Sequence, residues 1–319
     1  ALFIQSAVRL RLGESQAALS LAEQSLAIFT ELNDQEQNAR TWNLLGVIEF
    51  QKSNYADAVK LFHKAVQIDD RSAKYLTNLG SARNGLGDIR EAAECFERAI
   101  ECDPRCADAR TYLGILHLQQ GRLEEAGAAL RAAVIDAPKS VLALLNLGNL
   151  YRELGEFDQA AKHYETALSI DPDYPEALLN LGVVCCEQGR FADAVPHLRR
   201  AAALRPRVAM IHLDLADALR QVGDHAGAVQ SYQRALSFQA SSFDGWLGLG
   251  QSNAKLERWA DAIASFQKAV SLQPSSAEAH FQLGQSYQRS GKANEAVRHL
   301  SVASTLNSQY RGSTTRDQP

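Results

Sequence analysis

The stretch ALLNLG at residues 143–148 returns unchanged at 177–182, thirty-four residues later. A repeated word at a fixed interval is the mark of an array rather than of one compact core. Windows of 34 residues with Gly148 at the eighth position fill 39–310 without a gap, eight in all. The seventh position is always leucine (Leu45, Leu79, Leu113, Leu147, Leu181, Leu215, Leu249, Leu283). The eighth is glycine except at Ala216, and the twentieth and twenty-seventh are always alanine, as in Ala58 and Ala65 or Ala160 and Ala167. The twenty-fourth is large and apolar: Phe62, Phe96, Leu130, Tyr164, Leu198, Tyr232, Phe266, Leu300.

Each choice has a physical reason. Positions 20, 24, 27 and 28 form one helical stripe, and positions 4, 7, 8 and 11 a second. Small residues at 8, 20 and 27 let backbones approach, and the large residues fill the gaps between them. Glycine at position 15 (Gly87, Gly121, Gly155, Gly189, Gly223, Gly291) suits a helix end and tight turn. Proline at position 32 in five windows (Pro104, Pro138, Pro172, Pro206, Pro274) stops the second helix. Each window is therefore expected to be an antiparallel helix pair that buries its apolar faces only against its neighbours.

These residues resemble the tetratricopeptide repeat, with Trp42 and Trp246 at its fourth position and Tyr151 and Tyr287 at its eleventh. The resemblance implies an all-α fold, a right-handed superhelical α-solenoid of helix hairpins. Residues 1–38 read as a first, longer helix pair with its connector, since Ala18 precedes Ala58 by 40 residues rather than 34. The extra NDQEQN at 33–38 is expected to lengthen the helices or the connection, and 311–319 is a polar tail.

A net charge of −4 on 319 residues, with 33 basic and 37 acidic side chains, gives no electrostatic reason to expect nucleic acid as partner. No apolar run reaches the length of a membrane span. Five cysteines are too few, and odd in number, for a disulfide framework. A cytoplasmic location is the resulting expectation. The sequence opens at Ala1 and its only methionine is Met210, so the start reads as a cut or processed end. No polar capping element is visible at either end. That suggests a fragment of a longer protein, or ends that pair with another copy to make a homo-oligomer.

No catalytic, metal or cofactor site emerges. GWLGLGQSNAK at 245–255 looks like a phosphate loop, but its glycines fall at repeat positions 3, 6 and 8 within an expected helix, and Leu256 follows Lys255. Cys102 and Cys106, and the adjacent Cys185 and Cys186, lack a histidine at metal-ligand spacing and read as small packed thiols. His163, His197 and His299 read as surface-edge residues. Arg199, Arg200, Arg205 and Arg207 read as a solvated helix end. Pro196 should remove a backbone bond from its helix and bend it.

In tetratricopeptide arrays the first helices line the concave face, by resemblance at positions 2, 5, 6, 9, 12 and 13. Position 6 carries Asn78, Asn146, Asn180, Asp214 and Gln282, and position 9 adds Asn149 and Asp217. Position 5 supplies Leu145, Leu179, Leu213, Leu247 and Phe281. An amide both donates and accepts, so a row of amides can hold an extended backbone with little regard to sequence. The row resembles the asparagine ladder of O-linked N-acetylglucosamine transferase arms, broken here at Leu44, Tyr112 and Gly248. Of the five lysine, asparagine and arginine positions that clamp acidic chaperone tails in other members of the family, Asn149 and Asn180 match, whereas Leu145, Met210 and Asp214 stand where the three cations would be. The expectation is a non-enzymatic scaffold without a cofactor, binding a protein or peptide segment through these twelve residues. Two other readings remain: a substrate-selecting arm of a larger enzyme such as a glycosyltransferase, and a self-associating assembly subunit.

Overall fold

A computed structural model describes residues 1–310, so the tail at 311–319 lies outside the described residues. Eighteen α-helices follow one another, closed by a 3-10 turn at Ser308–Tyr310, with no strand among the described residues. They fall into two compact units, Ala1–Leu154 and Gly155–Pro319. The first holds α1 (Leu2–Arg11), α2 (Ser15–Glu31), α3 (Gln35–Gln51), α4 (Tyr55–Ile68), α5 (Ala73–Leu86), α6 (Ile89–Cys102), α7 (Ala107–Gln119), α8 (Leu123–Asp136) and α9 (Val141–Glu153). The second holds α10 (Phe157–Ile170), α11 (Pro175–Glu187), α12 (Phe191–Leu204), α13 (Ala209–Gln221), α14 (His225–Phe238), α15 (Phe243–Lys255), α16 (Trp259–Leu272), α17 (Ala277–Arg289) and α18 (Ala293–Leu306). Within each unit consecutive helices pack as stacked hairpins, so the chain is an all-α repeat solenoid.

The period seen in the sequence sets these bounds. From α5 onward every first helix starts at position 1 of its window, and from α4 onward every second helix runs from position 17 to 30. Serine just ahead of the first helices caps several of them: the hydroxyls of Ser140, Ser242 and Ser276 accept from the N–H of Ala143, Gly245 and Ala279. The six extra residues near 33–38 lengthen helices rather than the loop. Both α2 and α3 have 17 residues, and residues 35–38, grouped with the connector above, are the first turn of α3. Pro196 lies on the exposed side of α12, which runs unbroken from Phe191 to Leu204 although one donor is missing.

The invariant alanines carry the close packing. Those at positions 20 and 27 are all 0–3% exposed. Position 8 meets position 24 of the same hairpin: a Cβ on Gly46, Gly114, Gly182 or Gly250 would come within 2.5–2.6 Å of Phe62, Leu130, Leu198 or Phe266. Glycine there is a matter of space, not of backbone freedom.

Position 15 is the opposite case. The glycines there have φ between +70° and +87°, and nothing lies within 4 Å of an added Cβ. Two windows hold this left-handed turn without glycine, at Ser53 (φ 63°) and Glu257 (φ 58°). A side chain in this region costs about 1–2 kcal/mol. Part of that gain is lost because glycine frees the unfolded chain by about 0.4–1 kcal/mol. Glu257→Gly is therefore expected to stabilise the protein by about 0.5–1 kcal/mol, read as a higher urea midpoint at unchanged slope. A lower midpoint would mean that Glu257 bears no strain.

Successive hairpins are also tied by a recurring bond. In four windows the side chain at position 4 donates to the carbonyl at position 32 of the preceding window. Arg110 Nη2 reaches Pro104 at 2.6 Å, His212 Nε2 reaches Pro206 at 3.0 Å, Trp246 Nε1 reaches Ala240 at 2.9 Å and His280 Nε2 reaches Pro274 at 3.1 Å. Because their Nε2 atoms face carbonyls, the two histidines carry the proton there. The other ring nitrogen of His280, Nδ1, lies 3.0 Å from Nδ1 of His299. His299 is thus half-buried and bonded rather than a free surface-edge residue, and burial, with His280 beside it, lowers its pKa.

Candidate partner-binding groove

The middle and last turns of α13, α15 and α17, with the first residues of α14 and α16, line an open cavity of about 1030 Å³ in the second unit. Arg220 and Gln221 come from α13, Gln251 and Lys255 from α15, and Gln282, Gln285, Gln288 and Arg289 from α17. His225 and Trp259, the first residues of α14 and α16, complete the lining. The period builds the site, since residues 34 apart on neighbouring first helices fall on one surface. Five glutamines and three permanent cations line it, and no carboxylate does.

One edge of the groove is fixed by a part-buried polar network. The Tyr232 hydroxyl donates to Asp217 Oδ1 at 2.5 Å, and Arg220 donates to Tyr232 at 3.2 Å and to Asp217 at 3.2 Å. Burial and the Asp217 carboxylate hold the Tyr232 phenol far above its ordinary pKa, so it stays a donor. Nearby on α13, burial and then repulsion from Asp217 push Asp214 up to about 6. Burial, followed by the charge of Asp214, pushes the Cys186 thiol up to about 11, so it is no reactive thiolate. Among the described residues, no three His, Cys, Asp or Glu side chains converge on a metal position, and no helix is long and apolar enough to cross a membrane.

Tetratricopeptide repeat models match residues 5–71, 37–105 and 173–241, and a second such model matches 77–141. A TPR repeat model matches 148–185 and 254–291. The chain belongs to the tetratricopeptide repeat family. Comparison with curated proteins gives no match. Among solved structures, Pseudomonas Aeruginosa pilF is 21% identical over 69% of this chain and 98% of its own, with a TM-score of 0.59. YrrB, described as a TPR protein with an unusual peptide-binding site, is 23% identical over 59% of this chain and 96% of its own, with a TM-score of 0.55. The Cut9-Hcn1 hetero-tetramer of the APC/C is 17% identical over 95% of this chain and 63% of the other, with a TM-score of 0.54. At these identities the likeness is one of fold.

The repeat positions expected to bind a partner separate into different roles. Gln282 is the one of the twelve that lines the cavity. Asn78 donates to Asn43 at 2.7 Å, from position 6 of one tetratricopeptide repeat to position 5 of the repeat before it. Asn146 is 9% exposed and its amide donates to the Leu142 carbonyl of its own helix at 2.8 Å. Leu145 is buried, Leu247 packs on the core around Phe266, and Phe281 stacks on Tyr310 with ring centroids 4.6 Å apart. Asn149, Leu179, Asn180, Leu213 and Asp214 are half-buried, whereas Asp217 is exposed.

The breaks in the amide row have packing causes. Tyr112 stacks on Phe96 at 5.6 Å, and a Cβ on Gly248 would lie 2.3 Å from the Tyr232 ring. The arginines at and just beyond the end of α12 are mostly paired, Arg200 with Asp173 at 2.6 Å and Arg205 with Glu176 at 2.7 Å, as suits a solvated helix end. Gly245, Gly248 and Gly250 all lie inside α15, so no phosphate loop exists there.

Sequence reasoning missed Arg220, His225, Lys255, Trp259 and Arg289. They occupy positions 12, 13 and 17, and reading the row on past position 9 would have found three of them on the concave helix.

Proposed function

We propose that this chain is a binding scaffold whose second unit holds an extended protein segment in the groove of α13, α15 and α17. The observation that carries the reading is the lining of a cavity of about 1030 Å³ by five glutamines drawn from three successive first helices. Each amide offers a donor and an acceptor, and a strand-like segment presents the same pair at every other residue. Side chains on those helices can therefore engage a main chain without fixing its sequence. The reading involves no reacting group. The same groove would serve a free scaffold or an arm that presents protein substrates to an enzyme.

The test is selection of short random peptides on the immobilised full chain, followed by fluorescence anisotropy of the selected peptides. Gln251→Ala combined with Gln282→Ala and Gln285→Ala is expected to weaken them at least about tenfold, close to 1.4 kcal/mol. Helicity and melting should stay unchanged. Asn146→Ala with Asn180→Ala serves as the comparison. If that pair abolishes binding and the glutamine variant does not, the partner lies along the asparagine row instead. If no selected peptide responds to either variant, the groove is not a peptide site.

A further inference from the structure

We infer that the segment held by this groove is acidic. The inference rests on the peptide-binding reading and adds the charge of the partner.

Arg220, Lys255 and Arg289 enter the lining from three consecutive first helices, one cation from each. Arg220 is engaged by Asp217 and Tyr232. Lys255 and Arg289 take part in no ion pair among the described residues. All three lie in a last helical turn, where a cation complements the helix dipole. That effect accounts for a cation somewhere on the turn. It does not account for three that face one cavity whose wall holds no carboxylate. Cations gathered on a concave wall add their fields and raise the local concentration of anionic groups.

One polar atom of the wall also lacks a partner. His225 Nδ1 is buried there without a hydrogen-bond partner. Trp259 adds an aromatic face that suits the carbon stems of glutamate side chains.

A peptide fits better than a nucleic acid. The carboxylates of Asp217 and Glu278 stand beside the lining, on the same helices, and Glu278 accepts from Gln251 at 3.0 Å. A continuous phosphate backbone would run past both. A peptide can place carboxylates opposite Lys255 and Arg289 and neutral residues elsewhere, with its backbone against the glutamines.

The experiment uses the same random-peptide selection on the full chain, with sequencing of the selected pool. Enrichment in Asp and Glu is expected. A labelled peptide from the pool should bind at least about tenfold more tightly than its Glu→Gln, Asp→Asn analogue. Its affinity should fall as salt rises from about 50 to about 300 mM, as the screening length shortens. Lys255→Gln with Arg289→Gln should remove both the preference and most of the salt dependence. Neutral or basic peptides that need the glutamines would overturn the acidic partner and leave the groove reading intact. Peptides indifferent to the glutamine variant would remove the groove reading first. Displacement of the peptide by a polyuridine oligonucleotide, with the same dependence on Lys255 and Arg289, would assign the site to nucleic acid and overturn the proposal.

Discussion

Phe266→Ala is expected to destabilise the protein by about 3–5 kcal/mol, the usual loss for a fully buried phenylalanine. Its ring is 0% exposed and belongs to the cluster of Ala262, Ile263, Leu283, Tyr287 and Ala296, which joins α16 to α17 and α18. A hairpin in such an array holds only through its neighbours, so the loss should loosen the last two hairpins together. The sharper result lies in a double-mutant cycle with Gly250. A Cβ on Gly250 would stand 2.5 Å from the Phe266 ring, so Gly250→Ala alone should cost about 1–3 kcal/mol by overpacking. With Phe266 already alanine, the added methyl enters vacated space and brings the better helix former, worth up to about 1 kcal/mol. The second substitution should then be neutral or stabilising. Urea unfolding of the four proteins measures this, and additive losses would show that position 8 is not set by position 24.

Gly248→Asn, which would restore an amide to the inner row, is expected to lower stability by about 2–4 kcal/mol. The new Cβ would lie 2.3 Å from Tyr232 Cζ and its hydroxyl oxygen. Overpacking accounts for about 1–3 kcal/mol of the loss. Displacing the hydroxyl from Asp217 and Arg220 accounts for about 1 kcal/mol more. In a Tyr232→Leu background the same substitution should cost little, because leucine at position 24 leaves position 6 of the next hairpin open. Two windows with leucine there, at Leu130 and Leu198, are followed by Asn146 and Asp214 at position 6. Equal losses in both backgrounds would mean that the glycine answers to something other than the tyrosine ring.

The same residues show how far the sequence could be read. Leucine at position 7, the small residue at 8, and the alanines at 20 and 27 revealed the hairpins because every window obeys one packing rule, and a rule repeated eight times stands out. What a side chain at position 6 touches obeys no such rule. Asn78 is engaged by Asn43 of the preceding window, Asn146 by its own helix, and Gly248 makes room for Tyr232. Two of those outcomes depend on pairs of windows and one on the residue's own helix, and a column read down the array exposes none of them. The cationic wall was missed for a different reason. Arg220 stands at position 12 whereas Lys255 and Arg289 stand at 13, so no single column collects all three.

The bond from position 4 to the connector carbonyl at position 32 is made by an arginine, two histidines and a tryptophan. These side chains share little beyond an N–H at the right reach. Point changes among them would leave the joint between neighbouring hairpins intact, so this site can drift chemically while the spacing of the array stays fixed. Buried leucine stands at the same position in three other windows (Leu76, Leu144, Leu178), so the donor reinforces a joint that apolar packing already makes.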